Sequence, residues 1–105
     1  MWKKKMIKLG VMKPKEKKKA VFQYEGAINM LKIEPFCGCT NTKWNEKTNE
    51  LTAVLHAGEI PDQVIQRGEW KYTTLKYIDV EYQENGINKK DQLIIQATID
   101  GSPIL

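Results

Sequence analysis

Residue types that usually carry chemistry are scarce in this chain. It has one histidine, His56, one arginine, Arg67, and two cysteines. A single imidazole with no nucleophile motif beside it argues against acid–base or covalent catalysis, so the expectation is a protein that is not an enzyme and needs no cofactor. Two cysteines are too few for the disulfide-dense scaffold of a small secreted protein. No run approaches the roughly 18 consecutive apolar residues of a membrane span. The basic start Met1-Trp2-Lys3-Lys4-Lys5 is not followed by the apolar stretch of a secretion signal. The pattern predicts a chain that is neither exported nor membrane-bound. A length of 105 residues allows one domain, and the 41% hydrophobic and 29% charged residues are an ordinary soluble composition.

Charge is abundant but unevenly placed. Residues 1–19 hold nine lysines against one acid, Glu16, while the rest of the chain has an excess of acids. A basic segment on an acidic body has three readings. It could neutralise nucleic-acid phosphates. It could dock on an acidic protein surface. It could also be a solvated turn whose lysines discourage edge-to-edge pairing of the flanking strands. Nucleic acid is the weakest of these. The segment has no arginine for bidentate contacts, and no aromatics interleave with the lysines of 13–19 for base stacking.

Periodicity points to strands. Ile7, Leu9 and Val11 alternate with Lys8 and Gly10, the period of a half-buried strand. Pro14 breaks that run, and Lys15 to Lys18 read as a polar connection. Ala20, Phe22 and Tyr24 mark a second strand. Leu31 and Ile33 mark a third, which Pro35 ends. A polar stretch surrounds Trp44. Leu51 to Ala57 is a fourth strand, and Gly58 to Gly68 a connection in which Gln63 to Arg67 form one helical turn at most. Trp70 to Tyr82 is rich in β-branched and aromatic residues, Asn85-Gly86 is a hairpin turn, and Leu93, Ile95, Ala97 and Ile99 alternate along the last strand. The spacing predicts an all-β chain, an antiparallel immunoglobulin-like sandwich of about seven strands. Residues 6–100 would form the sandwich, 1–5 a basic tail and 101–105 a C-terminal tail.

A resemblance supports that reading. Leu9-Gly10-Val11, a lysine-rich turn, Phe22-Gln23-Tyr24-Glu25-Gly26, Leu31-Lys32-Ile33 and Cys37-Gly38-Cys39-Thr40 occur in that order. The succession resembles the bacterial hydin-type Ig-like domains that carry a Cys-Gly-Cys-Thr motif. It covers about residues 6 to 99, and Cys37, Gly38, Cys39 and Thr40 are its most specific part. The resemblance implies that Lys13 to Lys19 form a hairpin or inter-sheet turn. Two features depart from the family: the missing export signal, and Tyr24-Glu25-Gly26 where Asn-Thr-Gly is usual. Small standalone domains of this kind resemble auxiliary or decoration proteins of tailed-phage particles. The expectation that follows is a non-enzymatic virion protein, assembled in the host cytoplasm, whose partners are major shell or tail subunits. The alternative is a cytoplasmic bacterial adaptor domain.

Candidate sites follow from these readings. Lys3, Lys4, Lys5, Lys13, Lys15, Lys17, Lys18 and Lys19 would meet acidic partner surfaces. Trp2 lies outside the sheet pattern, among lysines, and would anchor in a neighbour's pocket. Cys37 and Cys39, at i and i+2, could be a soft-metal or redox pair with His56 as a third ligand, or small buried hydrophobes around a tight backbone turn. A reducing cytoplasm argues against a disulfide between them. The expectation is that no metal is bound. Trp44, Trp70, Tyr72, Tyr77 and Tyr82 could form an aromatic binding surface or pack the core.

Overall fold

The computed structural model describes residues 1–38 and 40–101; Cys39 and 102–105 lie outside the described residues. The chain is built of strands, with a single short helix among the described residues. The elements are β1 (Met6–Met12), β2 (Lys17–Gln23), β3 (Asn29–Pro35), β4 (Thr40–Asn45), β5 (Glu50–His56), α1 (Asp62–Gln66), β6 (Lys71–Glu84) and β7 (Ile87–Asp100). They form two sheets, a four-stranded one in the order β1-β7-β6-β3 and a three-stranded one in the order β2-β5-β4. Every pairing is antiparallel except that of β1 with β7, which is parallel. An isolated antiparallel bridge, Trp2 to Tyr24, adds a further extended segment that the sequence does not announce.

The core lies between the sheets and follows from the period of two. Ala20 and Phe22 of β2, Leu51, Ala53 and Leu55 of β5, Ile78 and Val80 of β6, and Leu93, Ile95, Ala97 and Ile99 of β7 are buried, while the residues between them face outwards. Burial of a side chain such as Phe22 or Leu93 stabilises the fold by about 2–3 kcal/mol each. The β6–β7 hairpin closes on Asn85-Gly86, both at positive φ (54° and 75°), which suits a two-residue turn between twisted strands.

Four local expectations are corrected. First, the face of β1 changes midway. The ladder slips between Lys8 and Gly10, Gly10 has φ of 76°, and Leu9 is the extra residue. One inserted residue turns the following side chains over. Val11, predicted to face inwards, is 60% exposed, and Met12 is fully buried in its place. Second, Lys17, Lys18 and Lys19 belong to β2 and not to the turn, so the connection from one sheet to the other is only Lys13 to Glu16. Third, the polar stretch around Trp44 is a strand, β4. Fourth, residues 1–5 are not a free tail. Lys3 N–H donates to the Gln23 carbonyl and Glu25 N–H to the Met1 carbonyl, both on the β2 side, and Ile94 N–H of β7 donates to the Lys5 carbonyl. The N-terminal segment is a strap that starts on the three-stranded sheet and crosses to the four-stranded one.

Candidate interaction surface

The strap and β2 bring part of the lysine cluster together. Lys3 and Lys4 from the strap and Lys19 from β2 rim a groove of about 340 Å³ whose other walls are Ile7, Ala20, Val21 and Gln23. The groove lies between the edge strands β1 and β2. Lys4 and Lys19 have no ion-pair partner among the described residues, and Lys3 is only loosely paired with Glu25, at 3.8 Å. Lys19 points outwards because its neighbours in the alternation, Lys18 and Ala20, turn towards the core side.

The remaining lysines of the cluster have other placements. Lys18 Nζ donates to the Leu9 and Val11 carbonyls at 3.3 and 2.9 Å, so it seals the edge of β1 around the bulge. Lys5 pairs with Asp91 at 2.8 Å and Lys15 with Glu59 at 3.2 Å. Lys13 sits at the turn, and Lys17 lies on the outer face of β2 opposite His56.

Trp2 is not an outward anchor. It is 4% exposed and packs edge-on against Tyr24, Tyr82 and Trp44, with ring centroids 5.2, 6.1 and 6.2 Å away. The bridge to Tyr24 turns its indole between the sheets, where it completes one end of the core. Edge-to-face contacts of this kind add about 0.5–1.5 kcal/mol each beyond area burial. The indole Nε1–H is buried with no acceptor in hydrogen-bonding geometry, although it lies close enough to Asp91 to favour that carboxylate.

A polar network surrounds the aromatic cluster. The Tyr24 hydroxyl donates to Glu84 at 2.7 Å and the Tyr82 hydroxyl to Asp91. Lys89 Nζ donates to Glu84 at 2.6 Å. Desolvation, and then the bond to Glu84, raise the Tyr24 hydroxyl above its ordinary value. Desolvation, and then the bond to Asp91, raise Tyr82 further. The bonds from Lys89 and Tyr24 hold Glu84 low, and the bond to Glu84 raises Lys89. Burial alone would raise Asp91, but the bonds from Lys5 and Tyr82 outweigh it and hold the carboxyl low. Each charge has a partner inside the network. Its chemistry is that of a lock joining the strap, β2 and the β6–β7 hairpin.

The cysteine motif is placed only in part. Cys37 is disulfide-bonded, which corrects the expectation of free thiols; that expectation rested on compartment and not on geometry. The chain's other cysteine, Cys39, lies outside the described residues. Cys37 and His56 line one cleft of about 170 Å³, and the His56 ring lies 3.2 Å from Asn41 Nδ2. Among the described residues no three His, Cys, Asp or Glu side chains gather as metal ligands. Thr40 is buried at the start of β4. Of the aromatics, Tyr82 is buried, and Trp44 and Tyr72 are half-buried against the core. Trp70 is exposed, and Tyr77 meets Phe36 on the outer face of the four-stranded sheet. The aromatics therefore divide between core and surface. Among the described residues no helix is long and apolar enough to cross a membrane.

Comparison with family models, with curated proteins and with solved structures finds no match for this chain.

Proposed function

We propose that this chain is a non-enzymatic structural protein with an Ig-like sandwich. In this reading it is an auxiliary, decoration-type component of a phage particle that binds neighbouring shell or tail subunits. The observation that carries the reading is the lysine groove. Lys3 and Lys4 from the strap and Lys19 from β2 converge on a floor of Ile7, Ala20, Val21 and Gln23, on a surface where many other charges are paired. Such a groove suits an acidic side chain beside an aliphatic one on a protein partner. Many identical copies make weak contacts of this kind effective.

The strand order supports the Ig-like part. An Ig domain places its first, second, fifth and fourth strands in one sheet and its third, sixth and seventh in the other. Here the strap meets β2, followed by β5 and β4, while β3, β6 and β7 share the second sheet. The main length of the first strand, β1, has moved across to pair with β7.

The test is sedimentation of the native source material with mass spectrometry of each fraction. The chain is expected to band with intact particles at fixed stoichiometry. The triple substitution Lys3→Glu, Lys4→Glu, Lys19→Glu is expected to lower incorporation at least about tenfold, equivalent to ~1.4 kcal/mol, without changing the melting temperature by more than a few degrees. Unchanged incorporation would sink the groove as the docking site. Recovery of the chain at the top of the gradient as a 12.1 kDa species would sink the particle reading and favour the cytoplasmic adaptor.

A further inference from the structure

The outer edge of β2 is laid out for one more strand. Tyr24 N–H donates to the Asn49 carbonyl at 3.0 Å and Ala57 N–H to the Glu16 carbonyl at 2.8 Å, and the register between these rungs is unbroken. Bonded residues alternate along an antiparallel pair. Lys18, Ala20 and Phe22 therefore bond to β5, while Lys17, Lys19 and Val21 turn their N–H and C=O groups the other way. The strap uses the end of this edge, where Lys3 N–H donates to the Gln23 carbonyl at 2.9 Å, and then leaves it for β7. Beyond that rung, no hydrogen bond among the described residues reaches the backbone of Lys17, Lys19 or Val21 from the side away from β5. The lysine groove lies along this stretch, with Lys19 and Val21 in its wall.

The side chains specify what such an edge accepts. Lys17, Lys19 and Val21 are exposed on the outer face of β2. Their opposite numbers on β5 are His56, Val54 and Thr52, so no carboxylate faces either lysine from that side. Neither lysine has an ion-pair partner among the described residues. Lysines on an edge oppose pairing with a second edge of the same kind, because like charges directly opposite each other are unfavourable. The same positions favour a strand that brings acids to meet them.

We propose that β2 binds an extended acidic segment of a partner protein by strand addition, antiparallel to β2 over Lys17 to Val21 and in line with the strap. This deepens the reading of the lysine groove as a docking site and rests on it. Opposed residues of an antiparallel ladder share a face. The guest therefore carries acids opposite Lys17 and Lys19 and an aliphatic residue opposite Val21. Its two intervening residues turn inwards and are aliphatic, because they meet Ile7, which lines the groove and packs against the core. Read from its N-terminus, the guest is aliphatic, aliphatic, acid, aliphatic, acid. Main-chain hydrogen bonds supply the affinity and alternate side chains the specificity, as in other cases of strand addition.

The probe is the peptide acetyl-Val-Val-Glu-Val-Glu-amide, titrated to about 5 mM into the full chain and followed by amide NMR and hydrogen exchange. A second peptide has both glutamates N-methylated, which removes the two donors that face β2 and keeps both charges. The first peptide is expected to bind and to slow exchange of the Lys17, Lys19 and Val21 amides, leaving those of Lys18, Ala20 and Phe22 unchanged. The N-methylated peptide is expected to bind at least about tenfold more weakly. Lys17→Glu combined with Lys19→Glu is expected to lose the glutamate peptide and to bind acetyl-Val-Val-Lys-Val-Lys-amide instead. Both side chains are exposed, so this variant should keep the wild-type circular dichroism. Equal binding of the two glutamate peptides overturns strand addition and leaves the groove as a charged docking surface. Absence of binding by either peptide at the highest concentration also overturns strand addition, and the groove reading is then decided separately by incorporation of the Lys3, Lys4 and Lys19 variant into particles.

Discussion

Trp2 fills one end of the core as Phe22 fills its middle, and its removal should cost accordingly. Trp2→Ala is expected to lower unfolding stability by about 3–5 kcal/mol, read as a fall in the urea midpoint with an unchanged m value. Trp2→Phe should cost far less, because it keeps most of the ring contacts and removes a buried N–H that has no acceptor in hydrogen-bonding geometry. A Trp2→Ala variant as stable as wild type would mean that the indole is not part of the core in solution. Gly10 is the second decisive residue. Its φ of 76° lies where a side chain is strained, so Gly10→Ala is expected to cost about 1 kcal/mol. At Cys37 the expectation is chemical: native protein should show no thiol reactive at that position until a reductant is added, as read by thiol titration and peptide mapping.

At the scale of elements, what could be read from the sequence tracks the contrast between faces. β5, β6 from Ile78 onwards and β7 from Leu93 onwards alternate between a buried apolar set and a more exposed set, and their core positions follow directly from that pattern. β4 does not. Its inward set is Thr40, Thr42 and Trp44 and its outward set Asn41, Lys43 and Asn45, so both faces are largely polar and no period stands out. In β1 the period is present, but the bulge at Leu9 inverts it after three residues, and a bulge leaves little trace in sequence beyond a glycine. The candidate site divides in the same way. The lysine cluster is plain in the sequence. The sorting of its members is not, because the partners of Lys5 and Lys15 lie far along the chain and Trp2 has no local pattern to place it. Lys18 gives a test at this scale. Lys18→Met removes the two contacts that seal β1, and β1 amides should then exchange hydrogen faster, with a loss of about 1 kcal/mol in global stability.

For the whole molecule, the network around Tyr24, Tyr82, Glu84 and Asp91 sets a pH window. Glu84 and Asp91 titrate below their ordinary values of 4.5 and 3.8. Their contribution is therefore complete above those values and is lost as pH falls through the lowered ones. Tyr24 and Tyr82 titrate above their ordinary value of 10.0. Their contribution is complete below pH 10 and is lost as pH rises towards the raised values. Thermal melts should show a plateau bounded by these two declines. Ultraviolet absorbance in strong base should show tyrosine hydroxyls that ionise only as the chain unfolds. Free ionisation of every tyrosine in the folded state would contradict the network.

The parallel pairing of β1 with β7 also has a mechanical consequence. Because the two strands run the same way, tension applied between the start of β1 at Met6 and the end of β7 at Asp100 slides one along the other. All six of their register pairs are then strained at once instead of parting one after another. Tension applied between Lys71 and Asp100, which face each other at the mouth of the β6–β7 hairpin, peels the strands apart pair by pair. Single-molecule stretching should accordingly find a markedly higher rupture force along the first axis than along the second. A domain held in this way resists pulling along its 55 Å length and yields to pulling across it.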